Sequence, residues 1–400
     1  MTGLRKVSVI VLNYNAPVEM LDKCLASLAE QTYKDLEIIL ADNGSSNDTV
    51  AVVGAKYPDV RVLEFGQNYG FAAGNNRAIE SASGEYILLL NNDAYPRPDA
   101  VARMVMVLDA AGDDVVGVAP KMMLAQNPNV FDSIGNLING GGCAFNMGIG
   151  QLDIGQYDKS EPVFGACFGA ALLRRAAFDA TAVGPMDASY FMYYEDVDWC
   201  WRANVMGYRF LTAPQAVVIH EHSASTKKFA YRRKYYLIER NLIKSCARNF
   251  ELGTALRVVI RRIMAYARNA IRGPYRRTSL KLAVTSLFYV PQVLLLRRAR
   301  VQRARRVPDA AIIALADGEQ PRFDPENYAP IYDLTTLIVM YRRKYAVDGA
   351  DRYLNIVTGL EELAQSKIHA DAAALRARLR ELLAGEPAAI MDFIERIETP

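Results

Sequence analysis
The chain has 400 residues, 51% hydrophobic and 23% charged, with a formal net charge of +3. That balance predicts one large or two to three smaller folded domains and excludes disordered and collagen-like classes. The five cysteines are scattered without CxxC spacing, which argues against a disulfide framework or zinc site and fits a reducing compartment.

MTGLRKVSVIVLNYN runs straight into a strand pattern, so no secretory leader is expected. VSVIVLNYN (7–15) reads as a buried strand. A helix follows over 17–31, with Pro17 at its start and Leu21, Leu25 and Leu28 on one face. Further strands are expected at 36–45, 60–65, 85–93 and 115–122, with helices at 71–83 and 98–112. Strand and helix in alternation predict an α/β fold with a parallel sheet, and ligands bind at the carboxyl ends of such strands. Those ends carry Asn13, Tyr14 and Asn15; Asp42, Asn43 and Ser45; Asn68; and Asn91, Asn92 and Asp93. Turn chemistry favours the same residue types. Four strands ending this way weigh toward a ligand site.

Residues 123–165 are rich in Gly and Asn and predict loops or short hairpins. An apolar stretch with a short helix carrying Arg174 and Arg175 follows over 164–187. YYEDVDWCWR (193–202) crowds Glu195, Asp196 and Asp198 beside both tryptophans of the chain. If 195–206 is helical, Asp198 and Arg202 are four apart and pair. A short strand then ends at His220. Beyond about 227 the pattern turns helical, with a linker over 307–330 and a helical segment over 331–400. The expected units are 1–226, 227–306, 307–330 and 331–400.

Neither G-x-G-x-x-G nor G-x-x-x-x-G-K-[ST] occurs, so hydride transfer and ATP hydrolysis lose their main support. A carboxylate such as Asp93 at a strand end suits a hard divalent cation that binds substrate phosphate. Asp42 suits the ribose or base of a nucleotide. His220 is a candidate metal ligand, with His222 as the alternative.

VSVIVLNYN, ADNGSSNDT, NYGFAAGNNRAI, YILLLNNDAYP, GACFGAALLRR, YFMYYEDVDWCWRANVMGYRF and VVIHEHSAS, in unbroken order over about 5–245, resemble glycosyltransferase family 2. The pattern is similar to bacterial rhamnosyltransferase-like and galactofuranosyltransferase-like members. The resemblance implies a Rossmann-like GT-A fold, a nucleoside-diphosphate sugar donor, a divalent metal (Mg²⁺ or Mn²⁺) and inversion at the anomeric carbon. By position, Tyr14, Asn15 and Asp42 resemble nucleoside contacts, and Asn68, Gly74 and Asn75 the lining of the diphosphate-sugar. Asn91, Asn92 and Asp93 resemble the D-x-D element with its first aspartate replaced, leaving Asp93 as main metal ligand and Asn92 beside the donor. Asp196 resembles the catalytic base and His220 the metal-binding histidine. Glu195 is expected at acceptor hydroxyls or as a helix cap. Tyr193, Tyr194, Trp199 and Trp201 are expected to exclude water and stack on a sugar.

Residues 227–306 hold 22 Lys or Arg against two acids, which leaves the remainder at −17. A basic, apolar helical segment fits an anionic membrane surface better than nucleic acid. No nucleic-acid motif is present, and the acidic remainder would repel a polyanion. The run LAVTSLFYVPQVLLL (282–296) is too short to span and contains Pro291, so no transmembrane helix is expected. The leading function is an inverting, metal-dependent transferase of bacterial surface polysaccharide synthesis. It would act peripherally at the inner face of the membrane on a glycan or lipid-linked acceptor, dTDP-rhamnose being one donor, with homo-oligomerisation left open. The alternatives are a sugar nucleotidyltransferase and, on the strength of Asn91, a weakly catalytic scaffold.

Overall fold
The N-terminal half forms one mixed sheet, built from strands whose residues alternate between two apolar cores. The structure is a computed structural model and describes residues 5–221, 231–273, 275–316, 323–324, 329–330, 332–366 and 371–397. The strands are β1 (Val7–Asn13), β2 (Leu36–Asp42), β3 (Arg61–Glu64), β4 (Tyr86–Asn91), β5 (Ala94–Pro96) and β6 (Val115–Leu124). They continue with β7 (Asn127–Ser133), β8 (Asn136–Ile138), β9 (Ala144–Asn146), β10 (Pro162–Val163), β11 (Ala170–Arg174) and β12 (Arg209–His220). The sheet order is β10-β12-β6-β11-β4-β1-β2-β3, with β5 added to β12 and β7 to β6; β8 and β9 pair separately.

Helices α1 (Val18–Ala29), α2 (Thr49–Lys56), α3 (Gly70–Glu80) and α4 (Ala100–Ala110) connect the first strands; α1, α3 and α4 fall where the alternating pattern predicts, and α2 was not expected from the sequence. β1, β2, β3 and β4 pair in parallel. β11 then enters antiparallel between β4 and β6. The stretch read as an apolar core with a short helix is therefore a central strand followed by a single 3₁₀ turn at Arg175–Phe178. The strand ending at His220 is twelve residues long, with a register shift between Ala213 and Val217.

The helical region begins with α5 (Glu195–Val205), α6 (Tyr231–Asn249), α7 (Leu252–Arg272) and α8 (Arg276–Gln292). It continues with α9 (Arg298–Arg303) and α10 (Asp309–Ile313). Residues of α5 to α10 share one core cluster with Ile10, Ile39 and Leu89 of the sheet. The basic segment thus packs into the body built on the sheet. Inside the expected linker, α10 seats Asp309, whose carboxylate accepts from the Glu251 N–H and pairs with Arg305. Four final helices, α11 (Leu334–Asp348), α12 (Asp351–Gln365), α13 (Ala372–Leu382) and α14 (Ala388–Glu395), form a third core against Leu124, Val130, Leu152 and Ile154.

Among the described residues, one helix (Arg276–Arg303) is long and apolar enough to cross a membrane, by length and composition alone. The expectation drawn from the shorter run is corrected on length. The helix passes through Pro291, and the next turn is a π turn at Val293–Arg297, a widening that accommodates helix irregularities. Its far end is fastened to the body. Arg297 pairs with Asp187, Arg298 donates to the Ala247 carbonyl, and Arg300 donates to those of Ala180 and Ala182.

Candidate active site
Register brings the distant motifs together. β5 runs antiparallel to the end of β12 and sets Ala94 opposite His220, so Asp93 lies beside the imidazole. Both side chains are buried, and Asp93 Oδ1 is 3.2 Å from His220 Nε2. On the far side of the ring, Nδ1 is 2.6 Å from Asp132 Oδ2. Burial works against a charged imidazole, but Asp132 and Asp93 outweigh it and hold the pKa up at about 10.

Asp93 and His220 line a cleft of about 330 Å³ with Phe71, Asn91, Asn146, Phe168, Met192, Tyr193, Tyr194, Glu195, Asp196 and Lys234. The start of α5 contributes to the same lining. The Asp196 carboxylate accepts from the Val197 N–H at 2.7 Å and from Asn136 Nδ2 at 3.2 Å. Burial raises its pKa above the usual aspartate range, and those two donors oppose the rise. Glu195 is buried, and Oε2 has no hydrogen-bond partner among the described residues. Burial first, and the Asp196 charge second, push its pKa well above the ordinary glutamate range. Both adjacent carboxyls are driven toward the neutral form, Glu195 the more strongly, a difference that can separate acid from base roles.

The approach to α5 is strained. Phe191, Tyr193 and Tyr194 have φ of 65°, 68° and 69°, left-handed values that cost non-glycine residues about 1–3 kcal/mol each. Asn241 of α6 holds this segment. Its Nδ2 donates toward the carbonyls of Tyr190, Met192 and Tyr193 at 3.0, 3.0 and 2.7 Å. Across the cleft the Phe71 N–H donates to the Phe191 carbonyl. Gly70 (φ +79°) must be glycine there, since a Cβ would lie 2.4 Å from that carbonyl oxygen.

Asp93 and His220 suit a divalent cation. Adjacent ligands of an octahedral ion with bonds near 2.1 Å stand about 3 Å apart, the spacing of their facing atoms. Asp132 would fix the ring behind them, as outer carboxylates do for metal-bound histidines. Among the described residues no group of three or more His, Cys, Asp and Glu is placed to hold a metal ion, so the site offers this pair alone.

The other predicted residues lie elsewhere. Trp199 is fully buried, stacks on Phe178 at 4.8 Å and donates from Nε1 to the Gly184 carbonyl, so it cannot touch an acceptor. Trp201 is equally buried against Phe250. Their indoles are too large and apolar to stand in water when a core lies beneath α5; the cleft's aromatic wall is Phe71, Phe168, Tyr193 and Tyr194. Asp198 pairs with Arg202 as expected, and also with Arg248. Gly74 packs on Leu12, and the Asn75 amide donates to the Phe71 carbonyl, so both face inward and do not line the cleft. Asn92 donates to Asn13, while Asp42 accepts from the Ser45 N–H and hydroxyl. The Asn68 side-chain oxygen accepts from the Gly70 N–H. Asn15 Oδ1 accepts from the Ser46 N–H, and Tyr14 is exposed. These residues form a polar shelf along the ends of β1 to β3, outside the cleft lining. His222, and the first residues of the basic segment (227–230), lie outside the described residues.

Asp132, Asn136, Lys234 and Asn241 escaped the sequence reading. Asp132 and Asn136 sit in the Gly/Asn-rich stretch that carried no periodic signal, and Lys234 and Asn241 sit in a segment read for net charge.

Residues 8–181 match the family model described as glycosyl transferase family 2. The chain is similar to the N-acetylglucosaminyl-diphospho-decaprenol L-rhamnosyltransferase of Mycobacterium tuberculosis. Identity is 30% over 241 residues, covering 54% of this chain and 76% of that protein. It is 22% identical over 247 residues to the low-salt glycan biosynthesis hexosyltransferase Agl10 of Haloferax volcanii, covering 60% of this chain and 75% of that one. A structure of GalNAc-T7 with UDP, GalNAc and Mn²⁺ superposes with a TM-score of 0.52 at 12% identity, covering 70% of this chain and 55% of that one. That likeness shows the GT-A fold. With the mycobacterial relative matched over three-quarters of its length, the chain belongs to glycosyltransferase family 2 and is a glycosyltransferase.

Proposed function
We propose that this enzyme transfers a sugar, with rhamnose the leading candidate, from a nucleoside-diphosphate donor to a hydroxyl of a lipid-linked glycan, with inversion. The observation that carries the reading is a single cleft whose lining brings together Asp93 and His220 with Glu195 and Asp196. The relative that acts on a diphospho-decaprenol-linked sugar supports the acceptor class.

Asp196 is the general base. Its carboxylate takes the acceptor hydroxyl proton as that oxygen attacks the anomeric carbon and the bond to the diphosphate breaks on the opposite face. Asn136 and the Val197 N–H favour its ionised form against the effect of burial and aim it. Glu195, favoured in its neutral form, donates to a second acceptor hydroxyl. Phe71, Phe168 and Met192 exclude water, which strengthens each electrostatic contact. Asp93 and His220 would hold the Mg²⁺ or Mn²⁺, and Lys234, over the Tyr193 ring, brings a positive charge to the same cleft. When bound, the ion neutralises charge growing on the leaving diphosphate. The polar shelf of Tyr14, Asn15 and Asp42 takes the nucleoside. The enzyme works peripherally at the inner face of the membrane, with the basic helices toward anionic lipid.

The test is an assay of dTDP-rhamnose and other nucleotide sugars with a polyprenyl-diphosphate-linked N-acetylglucosamine acceptor. Mg²⁺- or Mn²⁺-dependent transfer abolished by Asp196→Asn is expected. Unchanged turnover in that variant would remove the base assignment.

A further inference from the structure
We infer that the elbow between α7 and α8 is a binding site for the phosphate group of a membrane lipid. A cavity of about 330 Å³ opens there, lined by Arg232, Gly273, Tyr275, Arg276, Arg277 and Thr278. Three guanidinium groups share a wall that contains no carboxylate. None of the three forms an ion pair among the described residues, unlike much of the basic segment. Arg248 is paired with Asp187 and Asp198, Arg262 with Glu239 and Arg305 with Asp309, while Arg298 and Arg300 donate to backbone carbonyls. Uncompensated arginines converging on one cavity fit a phosphate, which they bind in bidentate fashion.

The surroundings select a lipid as the bearer of that phosphate. Leu256, Ile260, Met264 and Ile271 project from α7 at spacings of four, four and seven, and are 41–69% exposed. Leu280, Val284, Leu287 and Phe288 do the same on α8, at 46–69%. Both apolar faces flank the elbow, so an acyl or prenyl chain below a bound headgroup would cover them. A nucleic-acid backbone would satisfy the arginines but leave those apolar side chains in water. Arginines flanking an apolar face, heads in the phosphate layer and stems on the apolar side, are the interfacial pattern.

The inference rests on the membrane-facing orientation proposed above, and flotation of the full chain with vesicles separates the two. The vesicles are phosphatidylcholine with or without one-third phosphatidylglycerol, in about 0.1 M salt where screening acts over about 10 Å. The combined Arg232→Gln, Arg276→Gln and Arg277→Gln variant is compared with Arg257→Gln, Arg268→Gln and Arg303→Gln. The second set removes the same charge from exposed positions of α7 and α9. The elbow variant should lose at least tenfold more binding than the control. Equal losses would overturn the elbow site and leave the surface orientation standing. No flotation of the unaltered chain would overturn both. Competition identifies the source. Displacement by farnesyl diphosphate but not by pyrophosphate assigns a prenyl diphosphate, whereas phosphatidylglycerol dependence insensitive to both assigns a phospholipid headgroup.

Discussion

Glu195 and Asp196 are neighbours with opposite assignments, and substitutions that conserve shape separate them. Asp196→Asn removes the proton acceptor and should lower kcat by roughly 10²–10⁴-fold, the usual worth of a positioned base. Glu195→Gln keeps a neutral hydrogen-bonding group where the buried acid already favours neutrality, and should stay within about tenfold of the parent. Steady-state rates of both variants check the pair; a larger loss at Glu195 would reverse the roles. The base must be ionised to work, so kcat/KM rises as pH climbs through its pKa. Burial raises that pKa, which places the acid limb above the range of an exposed aspartate. Asn136→Ala deletes a donor that favours the ionised form, so the limb should move further toward high pH. A limb that stays put would detach Asn136 from the base. Behind the metal pair, Asp132→Asn loosens the His220 ring. The Mn²⁺ concentration for half-maximal activity should rise by roughly 10–100-fold, the usual cost of losing such an outer carboxylate.

At the scale of elements, α6 holds the cleft's wall in place although, among its described residues, only Lys234 lines the cleft. Asn241 fastens three carbonyls of a segment that the chain would not adopt unaided, with Phe191, Tyr193 and Tyr194 all left-handed. Arg240 adds donors to the Ser189 and Tyr190 carbonyls, and Lys244 to the Ser189 hydroxyl. Asn241→Ala should let the segment relax and swing Glu195 and Asp196 out of register. The expected signature is a fall in kcat of tenfold or more with the donor KM nearly unchanged, and stability reduced by about 1–3 kcal/mol for the stranded carbonyls. A rise in donor KM alone would place Asn241 in substrate binding instead. This clamp was not legible in the sequence, because a buried asparagine on a basic helix looks like any polar surface residue until its carbonyl partners are known. The first four parallel strands were legible, since continuous apolar runs and one-sided helix patterns are local signals. β11 was not: an antiparallel strand inserted between β4 and β6 is a pairing chosen by tertiary contacts. Asp93, Asp196 and His220, which meet in one cleft, were picked out in the sequence because each closes or opens a strong local motif. Trp199 was misread because proximity in sequence to an acid says nothing about which side of a helix the indole takes.

Across the whole molecule, the +20 of residues 227–306 divides into two populations with different physics. One part is internal. Asp187, Asp198, Arg202 and Arg248 form a buried network with Tyr190 and Asn249, joining α5 to α6 under the cleft. Removing one side of such a network strands charge without water and typically costs about 3–5 kcal/mol. The other part is external and lies along α7 and the start of α8 beside exposed apolar side chains. The boundary at 226 suggested by composition therefore cuts through a shared core. A chain ended at 226 loses the Arg248 partner of Asp198 and the Phe250 face against Trp201. The terminal helices have a core of their own, meeting the body at Leu124, Val130, Leu152 and Ile154. A fragment ending at 316 keeps the network and the cleft intact. It should give a cooperative thermal transition by circular dichroism and retain metal-dependent donor turnover, at a melting temperature several degrees lower for the uncovered patch. The fragment ending at 226 should be unfolded or aggregated under the same conditions. A soluble, cooperatively melting 1–226 chain would show instead that the basic helices are an appendage, and would remove the structural half of this charge assignment.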